Sequence, residues 1–492
     1  MGVMIRVFSR RRVAVALLAG GGALALTAPA YAAVPLTAVI VDSFSNTNSQ
    51  HATAVEPDTY SFGNTIVVAS QSGRFTDGGS SDIAFATSTN GGTSFTSGAL
   101  PGLTHNGPGG GAFDRASDPS VAYDASHNVW LISSIGINQV GSSIEVPAVL
   151  ASRSTDGGLS WGSPVTVATS AAKDLDKNWT VCDNHPASPF YGHCYTEFDD
   201  HSLGDRILMS TSTDGGLTWG PALATANTAT GLGGQPVVQP NGTVIVPAAN
   251  ASESAIISFR STNGGASWSS TTTVAPVADH TVAGGLRSGP LPSAEIDAAG
   301  KVFVVWQDCR FRAGCTRNDI VLSSSADGVT WSAVQRIPID ATGSTVDHFI
   351  PGIAVDPATS GSTAKLALTY YFYDKYNCGR KCQLRVGYVQ STNGGATWTT
   401  PLTLAGPFSV SLVASTTQGR MVGDYISTSW VGGKAFGAFA VGKTPTGGAA
   451  FDEAIYVPGG GLRPAGGTNG VDPTQVAVTG SSDHGPRSRP VR

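Results

Sequence analysis

The residues of this chain with the most chemical capacity are arginines, carboxylates and tyrosines that border short apolar runs. Arg74, Arg115, Arg287, Arg310 and Arg420 each stand next to a stretch that reads as strand. A guanidinium keeps its charge and offers paired donors that match a planar oxyanion. Glu56, Asp118, Glu197 and Asp308 are carboxylates that could exchange protons, and Tyr371 and Tyr425 add phenols. Asp199, Asp200, Asp374 and Tyr376 share the same loops. Each residue also has a plainer role. Asp308 and Arg310 suit an ion pair, the tyrosines suit a core or rim, and Asp118 before Pro119 suits a loop entering a strand.

The elements that must position these residues follow from a repeat. The octet Ser-Thr-Asn/Asp-Gly-Gly-x-Ser/Thr-Trp/Phe begins at Ser88, Ser154, Ser212, Ser261 and Ser391, and a form one residue shorter begins at Ser325. Successive copies lie about 61 residues apart, the length of a four-stranded propeller blade with its loops. Asp or Asn folds onto nearby backbone N–H groups, Gly supplies left-handed backbone, and the aromatic leaves the turn for the core. The runs 292–297, 301–307, 319–324 and 332–339 read as the four strands of one unit. The pattern predicts an all-β propeller of six or seven four-stranded blades, seven being favoured. The seventh uses 423–430, 434–441 and 453–457, with 36–41 as its fourth strand. Octets follow third strands, so one face is structural and the opposite face, with the longer loops, is the place for a ligand.

Residues 1–32 read as a signal peptide. Arg6 and Arg10 to Arg12 precede the apolar run 13–26, and Ala30-Tyr31-Ala32 supplies the cleavage pattern. The six cysteines fall as close neighbours: Cys182 with Cys194, Cys309 with Cys315, and Cys378 with Cys382. Local disulfides of a secreted, extracellular protein are expected. Residues 36–457 form the propeller, and 458–492, rich in Gly, Pro and Ser, a flexible tail. A formal net charge of −5 argues against nucleic acid as a partner. No later stretch is apolar enough to span a bilayer. A monomer is expected. Neither a metal nor a cofactor is expected, because paired C-x-x-C and H-E-x-x-H motifs are absent. The segment 437–444 has P-loop letters but reads as strand followed by Pro445.

The octets closely resemble the Asp box, or bacterial neuraminidase repeat, of the sialidase superfamily. That resemblance implies a secreted exo-α-sialidase, a glycoside hydrolase that removes sialic acid or a related acidic sugar from glycans. It implies an arginine clamp for the sugar carboxylate (Arg287, Arg310 and Arg420, with Arg115 as substitute) and carboxylates drawn from Asp118, Asp308, Glu197 and Glu56. A tyrosine nucleophile would be Tyr425 or Tyr371, and Arg74 and Asp374 would help hold substrate. The Phe/Tyr-Arg-Ile-Pro element typical of sialidases is missing, and seven blades would depart from their six. The alternative is an Asp-box propeller that binds glycan or protein without catalysis.

Overall fold

The computed structural model describes residues 34–464, so the expected signal peptide and most of the expected tail lie outside the described residues. Val-, Ile-, Phe- and Thr-rich runs give antiparallel strands, and helix among the described residues is limited to three-residue 3-10 turns. Sheet I comprises Gln50–Phe62, Thr65–Arg74, Ser80–Ser88 and Thr96–Ala99. Sheet II comprises Arg115–Asp124, Val129–Val140, Ser143–Ser154 and Val165–Thr169, joined to sheet I by the single pair Ser80–Ala116. Sheet III comprises Leu175–Cys182, Cys194–Asp200, Arg206–Ser212 and Leu223–Ala224.

In sheet IV the first strand is split into Gly231–Leu232 and Val237–Val238, ahead of Val244–Asn250, Ala255–Ser261 and Thr272–Pro276. Sheet V holds Ser293–Ile296, Val302–Asp308, Asp319–Ser325 and Gln335–Arg336. Its last strand is shorter than the expected 332–339, where Arg336 turns toward Asp319 and Asp340. Sheet VI holds Asp347–Val355, Leu366–Tyr373, Gln383–Ser391 and Leu402–Ser409. Sheet VII holds Ser427–Val431, Lys434–Gly442 and Glu453–Pro458, and the early strand Leu36–Ile40 completes it by pairing with Glu453–Pro458. The P-loop letters fall on Lys434–Gly442, a strand, as their context requires.

Each octet turns between the third and fourth strands of its sheet. Asp214 shows why: its carboxylate accepts the Leu217 N–H at 3.0 Å, the Thr218 N–H at 2.9 Å and the Thr218 hydroxyl at 2.6 Å. Ser212 Oγ accepts the Gly216 N–H at 2.9 Å, with Gly216 at φ 77°, which favours a residue without Cβ. The aromatics then pack inward, Trp161 and Trp268 being buried. Covering such large side chains stabilises the fold by ~1.5–3 kcal/mol each. The three cysteine pairs are disulfide-bonded within their own loops.

Neighbouring first strands are tied by side chains. Asp58 accepts the Val121 N–H (2.6 Å), Ser120 the Thr180 N–H (3.1 Å), Gln235 the Ala294 N–H (2.9 Å) and Ser293 the Ile353 N–H (3.1 Å). Thr428 donates to the Gly352 carbonyl and Ser427 to the Thr59 carbonyl, so sheet VII meets both sheet VI and sheet I. At the far end of the described chain, Leu462 exchanges backbone hydrogen bonds with Ala435.

Candidate functional site

First strands break register at matching points. Sheets I, II, III and VI carry bulges at 55–58, 117–120, 176–179 and 349–352. Within them Glu56 (φ 58°), Asp118 (φ 50°), Lys177 (φ 45°) and Ile350 (φ 48°) adopt left-handed backbone. A bulge inserts one residue and re-aims its side chain. Holding a non-glycine residue there costs ~1–3 kcal/mol, so the surroundings must impose it.

Three of the four carry charge, and they meet. Lys177 Nζ lies 2.5 Å from Asp424 Oδ2, 3.3 Å from Asp118 Oδ1 and 3.6 Å from Glu56 Oε1. Arg287 grips Asp424 with two donors, its Nε reaching Oδ1 at 2.7 Å. Glu56 also accepts from the Gln71 amide and from the Asp424 N–H. The Lys177, Glu56, Asp118 and Asp424 side chains are buried, whereas that of Arg287 is 22% exposed. Arg74 is buried alongside, donating to the Phe75 and Gly79 carbonyls.

The environments drive the carboxyl groups apart. Burial raises Glu56 to about 7 despite the Lys177 ammonium. Burial also raises Asp118. Burial acts on Asp424 in the same sense, but Arg287 and Lys177 outweigh it and hold that carboxyl well below the usual range. Lys177 is raised, because Asp118, Asp424 and Glu56 together overcome its burial. Two carboxyls with opposed preferences in one hub form the pattern expected of acid and base partners.

Beside the hub a narrow cleft is lined by Lys177, Trp179, Gly233, Gly234, Leu291 and Tyr425. Tyr425 donates to the Pro119 carbonyl at 2.9 Å and meets Trp179 edge to face at 5.1 Å. Burial raises the Tyr425 phenol, and the next largest influences on it are the charges of Glu56 and Asp118.

The structure thus brings together Glu56, Asp118, Arg287, Tyr425 and, in the same electrostatic neighbourhood, Arg74. The other expected residues lie elsewhere. Arg310 pairs with Asp308 at 2.6 Å, and Asp308 also accepts from the Trp306 indole. Arg420 donates to the Val413 carbonyl, while its own carbonyl accepts from the Arg287 N–H. Arg115 pairs with Asp77 and stacks 4.0 Å over Phe75, lining a cavity of about 180 Å³ with His105, Asp114 and Gln139. Asp374 pairs with Arg385, and the buried Tyr371 hydroxyl donates to the Ala440 carbonyl. Glu197 and Asp199 are buried on the second strand of sheet III, and Asp200 caps the turn after it by accepting the Ser202 N–H. Arg317 lies over the Tyr376 ring.

Lys177, Asp424 and Trp179 escape sequence reasoning. One usable signal is a proline placed alike in four units: Glu56-Pro57, Asp118-Pro119, Leu291-Pro292 and Ile350-Pro351. Three of these lie inside bulges, where the ladder asks no N–H of them. Lys177 has no following proline, so nothing local marks it.

A family model for a BNR repeat-like domain matches residues 64–340. None of the curated proteins matches this chain. Among solved structures, a protein of unknown function from Dyadobacter fermentans DSM 18053 is 15% identical, with 74% of this chain and 100% of that chain covered at a TM-score of 0.47. The NanB sialidase of Streptococcus pneumoniae is 12% identical, with 86% and 70% covered at a TM-score of 0.43. A PL25 ulvan lyase is 11% identical, with 86% and 95% covered at a TM-score of 0.47. At these values the likenesses say nothing about what this chain acts on. The matched model spans more than half of the sequence and takes in five of the six octet turns; the chain belongs to the BNR repeat-like domain family.

Proposed function

We propose that the protein is a secreted glycoside hydrolase of the sialidase type, built as a seven-bladed propeller and acting as a monomer on a terminal acidic sugar of extracellular glycans. The observation that carries this reading is the Lys177 hub beside Tyr425: cations for a substrate carboxylate, and two buried carboxyls of raised proton affinity next to a phenol. Seven blades are supported by the run of first-strand ties that leads from sheet VII to sheet I. In this reading Arg287 and Lys177 receive the sugar carboxylate, displacing part of their pairing with Asp424. Tyr425 is the nucleophile, and Glu56, whose charge acts on the phenol, is the base. Asp118, whose hold on a proton is strengthened by burial, gives a proton to the leaving oxygen. Trp179 offers a face to the sugar ring.

Fluorogenic sialosides and uronosides, assayed with the wild type, Tyr425→Phe and Glu56→Gln, test this. Cleavage of an acidic glycoside should fall at least a hundredfold in Tyr425→Phe. Because Glu56 must be ionised to act as base, kcat/KM should rise with pH through about 7, and Glu56→Gln should remove that limb. Undiminished cleavage in Tyr425→Phe would end the assignment. A second reading, binding without catalysis, is favoured by the mutual pairing of the hub charges and the narrowness of the cleft. Glycan retention without turnover of any substrate would support it.

A further inference from the structure

We propose a divalent transition-metal site of the Zn²⁺ or Mn²⁺ type in sheet III, formed by Asp199, His201 and Asp205. The three donors lie within 4.8 Å of one another, on the end of a strand and the tight turn that follows it. The turn is built to hold them. Asp200 caps it, Gly204 (φ 72°) and Asp205 (φ 60°) bring the chain back, and Asp205 returns beside the His201 ring.

Two independent features point to a cation. Asp199 is fully buried, yet among the described residues neither of its carboxylate oxygens has a hydrogen-bond partner. A buried acceptor left without a partner is destabilising, more so when charged, and a metal ion would offset that cost. The imidazole is also set for ligation. Asp176 Oδ2 lies 3.4 Å from Nε2, while Nδ1 faces Asp205 and lies 4.0 Å from Asp199 Oδ2. Asp176 can hold a proton on Nε2, as in carboxylate–histidine–metal arrangements, and a cation would take the place of the proton that Nδ1 shares with Asp205. One imidazole with two carboxylates suits Zn²⁺ or Mn²⁺ better than the all-oxygen sets of Ca²⁺ and Mg²⁺. The half-exposed His201 side chain gives the ion a way in.

A second grouping, Asp319, Asp340 and His348, makes the contrast. Arg312 lies 2.6 Å from Asp319 and 2.7 Å from Asp340, and Arg336 lies 2.8 Å from Asp319. Guanidinium groups already neutralise those carboxylates. At Asp199 no such partner stands among the described residues.

The test uses the whole protein, stripped with chelator and titrated with ZnCl2 and with MnCl2 by calorimetry. One equivalent should bind, and affinity should weaken at least tenfold in His201→Ala and in Asp205→Asn, and about tenfold in Asp176→Asn. His105→Ala, an exposed histidine elsewhere, should change nothing. The rise in melting temperature that added metal gives the wild type should be absent in both ligand variants. Crystals soaked in MnCl2 should show an anomalous peak between Asp199, His201 and Asp205. Absence of stoichiometric binding, equal binding in the ligand variants, or a peak only elsewhere would overturn the site and leave His201 an imidazolium among carboxylates.

Discussion

Among the described residues Lys177 is the single cation paired with all three hub carboxylates, so its removal is the most demanding residue-scale test. Arg287 makes its ion pair with Asp424, which leaves Glu56 and Asp118 without a direct partner if the ammonium is lost. Breaking a buried charge set in this way costs about 3–5 kcal/mol. Lys177→Met should lose that much in chemical denaturation. Adding Glu56→Gln and Asp118→Asn should recover much of it, since the orphaned charges are then gone. A Lys177→Met protein as stable as the wild type would show that the hub is not held by mutual pairing. The plainer role suggested by Asp118-Pro119, ordering a strand entry, proves compatible with a place in the hub, because the same bulge serves both.

At the scale of the element, the Asp box explains both the turn and its tolerance. Asn90, Asn263 and Asn393 stand where Asp156 and Asp214 do, and each accepts the backbone N–H four residues on, as they do. The side-chain oxygen matters more than its charge. Asp214→Ala should therefore cost about 1–2 kcal/mol, the worth of a lost turn cap, whereas Asp214→Asn should be nearly neutral by thermal denaturation. Equal losses in both variants would mean that charge, not geometry, holds the corner. The strand Leu36–Ile40 works at the same scale: it covers the open edge of Glu453–Pro458 with chain from the other end of the described residues.

The whole molecule carries an unusual load of buried acids. Burial raises Asp58 to about 6, Asp347 to about 7, and Asp82 and Glu295 to about 8, as it does Glu56 to about 7. Raised acids contribute stability that is complete below their unfolded values near 4 and lost as pH climbs through 6 to 8. The Asp-box carboxylate of Asp156, lowered to about 2 by Ser160, works in the opposite sense and loses its contribution only in strong acid. The melting temperature should therefore be higher near pH 5 than near pH 8; the reverse order would show that the buried acids are ionised at little cost. Much of this architecture could be read in advance. Six recurrent octets define hairpin corners through their own side-chain hydrogen bonds, and close cysteine pairs need little more than their loops, so local chemistry is enough for both. The hub could not be read in that way. Glu56, Asp118, Lys177, Arg287 and Asp424 are spread over 368 residues of separation between Glu56 and Asp424, and their contact depends on how bulged first strands converge. Whether a loop arginine pairs with its neighbour, as Arg310 does with Asp308, or reaches across to another sheet, as Arg287 does to Asp424, depends on distances that exist only after the sheets have packed.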